Sequence, residues 1–324
     1  MKKQINWSTY KFRSSQVHKL MVGTIPQKED CQGAIDDLIK EKQTLKSKTG
    51  RTVKWTETKQ EKLEKLQKIQ NAPLFDLLPK TMKSELRKIH RSETYGRNFS
   101  FTNKYVEKGL SQEQEAITVY QKYRKEVLGE SGFFRNNKDR LSNDYTSGEA
   151  DLCDNNDFAT CTEGFDIKCS WELETFPFKE DKLDFAYECQ NQDYMWLSGA
   201  KIWTTAYVLV NITEDLLNKE KLRWFYALGS PDESNENEYE QYQNFIDKCK
   251  ELETRYIFDY DSFIEKNPGH IMEISRSEWH EKGLDIPLEY RVIEKTVEYD
   301  QSLIDKFIER IEISREYLKH LDEN

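Results

Sequence analysis

The chain has 324 residues, of which 36% are hydrophobic and 33% are charged, with a formal net charge of -10. No apolar run approaches the roughly 18 residues that a membrane-spanning helix needs, and 7 Trp, 17 Tyr and 16 Phe argue against a wholly disordered chain. The six cysteines include no CxxC pair, so we expect reduced thiols and no zinc or iron-sulphur site. Polar residues follow Lys2 and Lys3, so we expect no secretory signal and a cytoplasmic location.

Charge is distributed unevenly along the chain. Residues 1–100 carry 22 Lys and Arg against 11 Asp and Glu, whereas residues 151–324 carry 19 against 40. The basic first third indicates contact with nucleic acid or, equally well, a solvated lysine-rich surface. If this region contacts DNA, we expect Lys88, Arg91 and Arg97 to line the path of the strand.

The predicted elements change in character near residue 130. Before it, apolar side chains recur at helical spacing, with breaks at residues 50–51 and at Pro73. After it, short strands with turn signals precede a near-continuous apolar run that is typical of a buried strand. We predict helices at residues 17–21, 56–71, 80–89, 104–129, 186–202 and 304–311, strands within 145–169 and at 204–212 and 286–298, and turns at 155–157 and 163–164.

This order of elements predicts an α+β, or mixed α/β, fold with a central mixed β-sheet flanked by helices. Residues 1–100 are predicted to form a basic helical elaboration, and residues 101–324 to form the core with a C-terminal strand and helix. Because no internal repeat or obvious linker separates the two, the sequence favours one continuous domain.

Asp151, Asp166 and Lys168 form the constellation best suited to chemistry. Two carboxylates on adjacent strands, each near a strand end, can converge on one hard divalent cation, and such oxygen ligands suit Mg²⁺. Asp166 and Lys168 are two residues apart, so their side chains leave the same face of a strand. The lysine can then orient or deprotonate a water, while the metal lowers that water's pKa and neutralises the attacked phosphate.

An acidic residue followed two positions later by lysine is a weak signal by itself. The same pattern occurs at residues 57–59 and 180–182, and an ordinary surface ion pair is the alternative explanation. The match at Asp166 is stronger because Asp151 precedes it at the distance of a hairpin.

Three further side chains are candidates because of their helical positions. Gln190 and Tyr194 are four residues apart, so an amide and a phenol share one helix face and can hydrogen-bond a carboxylate, a water or a phosphate. The alternative is an amphipathic helix with a core tyrosine. Glu113, near the start of the helix predicted from residue 104, either complements the helix dipole at the surface or reaches the metal.

In this order, the motifs resemble those of the PD-(D/E)xK nucleases, in their RecB-like branch. They are most similar to phage exonucleases of the lambda exonuclease, or YqaJ-type viral recombinase, group. The resemblance covers most of the chain, and the ordered set is far more specific than any one motif. The segments that carry it are residues 109–113, 148–151, 166–170 and 190–194, with flanking similarity at 12–15 and 286–291.

The resemblance implies a metal-dependent DNA exonuclease that hydrolyses phosphodiester bonds at double-stranded ends, for phage recombination or DNA processing. It implies Mg²⁺, with Mn²⁺ as a substitute, and Lys168 as the water-activating lysine helped by Gln190 and Tyr194. It also implies a trimeric ring on DNA, a single-strand annealing protein as partner, and the host cytoplasm if the chain is phage-encoded. The implied metal ligands are Asp151, Asp166, Glu113 and the backbone carbonyl of Ile167.

Two positions depart from the usual pattern of the family. Ala150 stands where proline is usual, and Asp166 stands where glutamate is usual, which shifts the carboxylate by about one bond length. The absence of a cysteine cluster after Cys249 argues against the iron-sulphur subtype of RecB-like nucleases. Two other functions stay open: a structure-specific or nicking endonuclease on the same core, and a catalytically idle DNA-binding or interaction module.

Overall fold

The structure, a computed structural model, describes residues 3–47, 55–97, 104–132, 134–135, 140–265, 267 and 269–323. The break predicted at residues 50–51 lies outside these ranges. The helices are α1 (Val17–Leu20), α2 (Lys28–Ser47), α3 (Glu57–Asn71), α4 (Lys80–Tyr95), α5 (Lys104–Glu126), α6 (Phe185–Ser198), α7 (Glu214–Ala227), α8 (Tyr239–Tyr256), α9 (Tyr260–Glu265), α10 (Arg276–Glu281) and α11 (Gln301–Glu323). The strands are β1 (Phe12–Arg13), β2 (Phe134–Arg135), β3 (Leu141–Ser142), β4 (Thr146–Gly148), β5 (Leu152–Cys153), β6 (Glu163–Ser170), β7 (Ile202–Leu209) and β8 (Val292–Glu298).

The limits of α6 and α4 follow from the residues that flank them. The Asp184 carboxylate accepts a hydrogen bond from the backbone N–H of Ala186 at 2.7 Å, which caps the start of α6. Gly199 then ends α6 with a left-handed φ of 82°. Gly96 ends α4 in the same way with a φ of 63°, so α4 extends past residue 89, the predicted end.

A five-stranded mixed sheet forms the centre of the fold, in the order β2-β5-β6-β7-β8. β6 and β7 are parallel, and the other neighbouring pairs are antiparallel. The crossover from β6 to β7 contains α6, as a connection between parallel strands requires. The predicted central mixed sheet flanked by helices is therefore confirmed.

The two faces of β6 contact different helices because side chains alternate along a strand. Phe165 and Ile167 pack in one apolar cluster with residues of α5. Thr205, the neighbour of Asp166 on β7, accepts a hydrogen bond from Asn191 of α6 at 2.8 Å. Hence α5 covers one face of the sheet, and Asp166 faces α6 on the other.

Gly164 is required in β6 because the indole of Trp203 lies directly against it. A Cβ at this position would come within 2.2 Å of the Trp203 ring, which is fully buried. The turn predicted at residues 163–164 is therefore wrong. Both residues belong to β6, and the glycine makes room for a neighbouring ring instead of bending the chain.

The chain divides into two compact units, one formed by Met1–Phe99, Ser142–Ser147 and Asp300–Asn324, the other by Ser100–Leu141 and Gly148–Tyr299. In the first unit β1 pairs with β4 in parallel, and α11 packs on α4, where Arg87 donates a hydrogen bond to the Tyr317 hydroxyl at 2.9 Å. The five-stranded sheet belongs to the second unit. The domain limits predicted at 1–100 and 101–324 stay predictions.

Among the described residues, none of the helices is both long and apolar enough to cross a membrane.

Candidate active site

Asp166 and Lys168 form an ion pair on the α6 face of β6. The Lys168 Nζ lies 2.5 Å from Asp166 Oδ2, and the side chain of Asp166 is only 2% exposed, against 23% for that of Lys168. The spacing of two residues brings them together, because both side chains leave the strand on one side. Asp166 lies inside β6, so the prediction that it is near a strand end is wrong.

Asp151 immediately precedes β5, and its side chain continues the hydrogen bonding between β5 and β6. The antiparallel ladder pairs Leu152 with Phe165. Just beyond this pair, Oδ2 of Asp151 accepts the backbone N–H of Ile167 at 2.7 Å. A carboxylate thereby takes the place of a ladder carbonyl, and this bond holds Asp151 close to Asp166.

The electrostatics of this cluster are dominated by its carboxylates. Burial and the neighbouring Asp166 raise the pKa of Asp151 to about 7, although Lys168 and the Ile167 N–H act in the opposite direction and Glu113 adds a smaller increase. Burial alone would lower the pKa of Lys168, but Asp166 and Asp151 outweigh burial and the pKa is raised. The cluster therefore carries negative charge that the single ammonium of Lys168 offsets only in part.

Glu113 is half-buried in the middle of α5, so the prediction that it is near the start of the helix is wrong, and its charge contributes to the raised pKa of Asp151. The position of α5 along the sheet is fixed by Lys108, five residues before Glu113, whose side chain is fully buried. Its Nζ donates to the carbonyl oxygens of Ser170, Trp171 and Val210 at 2.8, 2.9 and 2.9 Å. These carbonyls lie at the ends of β6 and β7, so the bonds set where Glu113 stands along the sheet. Burial also lowers the pKa of Lys108 to about 8.

Gln190 and Tyr194 meet the carboxylates from α6. The Gln190 side-chain amide donates to Asp166 Oδ1 at 3.3 Å and to the Tyr194 hydroxyl at 2.8 Å. Burial, together with Asp166 and Asp151, raises the pKa of Tyr194 well above its usual value, so the phenol stays protonated. Tyr194 is also a core residue, with its ring centroid 5.2 Å from that of Trp203. Gln190 thus bonds a carboxylate, as predicted for this helix face, while Tyr194 belongs to the core, and a role for either side chain in catalysis stays a prediction.

Tyr187 contacts Lys168 and was missed by the sequence analysis. The Lys168 Nζ lies 4.6 Å from the centroid of the Tyr187 ring. That ring packs against Tyr207, which is the neighbour of Lys168 on β7, with centroids 6.1 Å apart. The available signal was spacing, because Tyr187 precedes Gln190 by three residues and Tyr194 by seven, on the same face of a helix.

The carboxylates suit a divalent cation but do not form a complete ligand set. In the part of the chain that the structure describes, no three His, Cys, Asp or Glu side chains come together closely enough to hold a metal ion. Mg²⁺ needs only one or two protein carboxylates, since it keeps several waters. The repulsion between Asp151 and Asp166 is what a bound cation would relieve, so the donors fit Mg²⁺. Glu113 and the Ile167 carbonyl stay predicted ligands.

Comparisons with known proteins concern the fold of the whole chain. No protein-family model matches the chain, and no curated protein matches it. A phage-related exonuclease from Haemophilus somnus 129PT superposes with a TM-score of 0.55 over 97% of this chain and 96% of its own, at 19% identity. LHK-Exo, an alkaline exonuclease from Laribacter hongkongensis, superposes with a TM-score of 0.42 and 11% identity over 76% of this chain and 83% of its own. The structure of LHK-Exo in complex with dAMP gives the same TM-score and identity, over 77% of this chain and 85% of its own. The chain therefore shares the fold of the phage-related exonuclease from Haemophilus somnus.

Proposed function

We propose that this chain is a metal-dependent DNA exonuclease that hydrolyses phosphodiester bonds at double-stranded DNA ends. The observation that carries the proposal is the buried ion pair of Asp166 and Lys168, with Asp151 bonded to the same strand. The shared fold with a phage-related exonuclease supports DNA as the substrate. Recombination in a phage context, a trimeric assembly and an annealing partner extend the proposal and rest on the resemblance in sequence motifs.

In this proposal Asp151 and Asp166 would hold Mg²⁺, or Mn²⁺ in its place, with Glu113 and the carbonyl of Ile167 as further ligands. The cation supplies Lewis acidity toward the phosphate and lowers the pKa of the attacking water. Asp166 is kept in place by the Gln190 amide, and Asp151 by the Ile167 N–H. These bonds position both carboxylates before the substrate binds.

Lys168 acts on the water and the phosphate as a cation and hydrogen-bond donor. Its raised pKa keeps the ammonium protonated at neutral pH beside the two carboxylates. The ring of Tyr187 packs against this ammonium and limits where it can move. The protonated phenol of Tyr194 accepts from Gln190, which fixes the direction of the amide toward Asp166.

The experiment that tests the proposal is digestion of linear and closed circular duplex DNA by the purified protein, with Mg²⁺ and with EDTA. We expect the linear form alone to disappear, and only with metal. The Lys168→Ala variant, prepared in parallel, excludes a contaminating nuclease. Cutting of the circular form would replace the exonuclease with a nicking or structure-specific endonuclease. Absence of metal-dependent cleavage of duplex and single strands alike would contradict catalysis and leave a DNA-binding module.

A further inference from the structure

The segment between β6 and α6, residues 171–184, presents an exposed aromatic ring. Phe178 is 69% exposed, and Leu173 and Phe185 in and beside the same segment are 52% and 49% exposed. A single exposed apolar side chain is common on protein surfaces. The backbone that carries Phe178, however, is held by a buried charged group.

Lys295 on β8 is the residue that holds this backbone. Its side chain is buried in the sheet, and its Nζ lies 2.7, 2.6 and 2.5 Å from the carbonyl oxygens of Phe178, Lys179 and Asp181. The Asp181 carboxylate also accepts the backbone N–H of Phe178 at 2.7 Å. A buried ammonium is unfavourable unless its N–H groups are satisfied, so the turn and the lysine constrain each other. The exposed ring is therefore presented on a fixed backbone.

The fixed turn stands over the same face of the sheet as the candidate active site. Lys295 pairs in register with Thr205, and Thr205 pairs with Asp166. Thr205 bonds to Asn191 of α6, which places all three residues of this row on the α6 face. Two strand spacings, about 10 Å, separate Lys295 from Asp166. The turn that carries Phe178 is thus anchored to the row of the sheet that contains Asp166, on the face of the proposed catalytic residues.

The charges of the turn do not favour a phosphate site. Lys179 and Lys182 are exposed, but Glu180 and Asp181 lie between them and balance their charge. The exposed apolar ring of Phe178 is therefore the feature of this turn that suits a ligand best. Every nucleobase has a π-face, and stacking on an aromatic side chain tolerates any base.

We propose that Phe178 stacks against a nucleobase of the substrate strand and so sets how the DNA end is held beside Asp166 and Lys168. This inference rests on the proposed nuclease function and adds a binding residue to it. It predicts that the contribution of Phe178 to DNA affinity is the same for every base, and that this contribution disappears when the nucleotide at that position has no base.

The test measures binding of a duplex with a short single-stranded end, carrying 2-aminopurine near the end, to the full chain in EDTA. We expect Phe178→Ala to weaken affinity by about 5- to 150-fold and to abolish the fluorescence quenching that stacking causes. Phe178→Trp should restore both, and Phe178→Leu should restore neither. The slope of affinity against salt concentration should not change, because the substitution leaves the phosphates of the DNA untouched. With Mg²⁺, KM should rise while kcat changes little.

Tyr226→Ala is the matched control, since Tyr226 is 65% exposed on α7 in the same unit. Wild-type affinity in Phe178→Ala, or in Phe178→Leu, would overturn the stacking role even if the chain cleaves DNA. A wild-type chain that neither binds nor cleaves DNA would instead refute the proposed function, and the two failures are therefore distinguishable.

Discussion

Lys168 neighbours two carboxylates whose negative charge it offsets only in part, and this environment limits the chemistry open to its side chain. Asp166 and Asp151 raise its pKa, so a neutral amine that accepts a proton is disfavoured in the metal-free chain. A positively charged donor beside the scissile phosphate is the role that this environment supports. In the proposed nuclease this role would be electrostatic and local, so loss of Lys168 is expected to affect cleavage more than DNA affinity.

We expect Lys168→Ala to lower the rate of cleavage by roughly 10²- to 10⁴-fold, because one positioned charged donor is removed from the transition state. Affinity for DNA in EDTA should stay close to that of the wild type. Rates are measured on linear duplex with Mg²⁺, and affinities by anisotropy. Lys201→Ala, an exposed lysine that packs on Tyr299, serves as the control. Cleavage at the wild-type rate in Lys168→Ala would remove Lys168 from the mechanism.

We expect Asp151→Asn to abolish cleavage and to weaken affinity for Mn²⁺, because an amide oxygen is a much poorer ligand for a hard cation than a carboxylate. The Asn oxygen can still accept the Ile167 N–H, so the fold should be retained. Calorimetric titration with Mn²⁺ measures the affinity, and circular dichroism checks the fold. Unchanged Mn²⁺ affinity would exclude Asp151 as a ligand.

Helix α5 is joined to the ends of β6 and β7 by the buried side chain of Lys108, which therefore connects three secondary-structure elements. Three backbone carbonyls share its ammonium. Removing the ammonium leaves those acceptors in the interior without this donor, which is costly. The same contact fixes where Glu113 stands, so α5 links stability to the geometry of the site.

We expect Lys108→Met to lower the free energy of unfolding by about 3 kcal/mol at pH 7.5, measured by urea denaturation. Lys219→Met is the control, because Lys219 on α7 forms exposed ion pairs with Glu107 of α5 and Asp215 of α7, and the loss of such pairs should change stability by less than about 1 kcal/mol. An equal effect in both variants would contradict the role of Lys108 in joining α5 to the sheet.

The lowered pKa of Lys108 adds a dependence on pH. Its folded pKa of about 8 lies below the ordinary 10.5, so between these values the unfolded chain binds a proton that the folded chain does not. Stability from this group therefore rises with pH, by about 1.4 kcal/mol per unit, from pH 8 toward 10.5. The difference between wild type and Lys108→Met should widen from pH 8 to pH 9.5. A constant difference would show that Lys108 keeps its ordinary pKa.

Elements with clear periodicity could be predicted from the sequence, and those shaped by contacts could not. The 3.6-residue pattern gave α3 and α5 nearly at their limits, and the two-residue spacing of Asp166 and Lys168 gave their shared face. Local sequence at Gly164 predicts a turn, because the indole that requires the glycine lies on another strand. The bond from the Ile167 N–H to Asp151 and the packing of Tyr187 on Lys168 likewise join segments distant in sequence.

The uneven distribution of charge along the chain limits which surfaces can bind DNA in the proposed function. Lys88 and Arg91 lie exposed on α4, and Arg97 lies exposed just beyond it. The Nζ of Lys88 lies 2.5 Å from Oε1 of Glu85, so part of its charge is already paired. Net negative charge argues against general adhesion to DNA, so the proposed function requires DNA binding through local basic surfaces such as this one. Which lysines and arginines face a groove could not be decided from sequence, since spacing along the chain does not carry that information.

We expect Arg91→Glu combined with Arg97→Glu to weaken DNA binding and to reduce the slope of log affinity against log salt by about 0.9 for each phosphate that the protein no longer neutralises. Lys319→Glu, an exposed lysine on α11, is the control. Binding is measured in EDTA over a range of NaCl concentrations. An unaltered slope in the double variant would make this surface a plain solvated face.

The packing of α11 on α4 has a consequence for biosynthesis. Arg87 on α4 meets Tyr317 on α11 across 230 residues of sequence, and Arg310 on α11 reaches the sulphur of the buried Met82 at 3.9 Å. Helix α4 leaves the ribosome long before α11 exists, so the side of α4 that α11 covers stays exposed while the rest of the chain is translated. The unit that begins to be synthesised first is therefore completed last, and a nascent chain halted before residue 301 would expose an apolar side of α4 that favours aggregation.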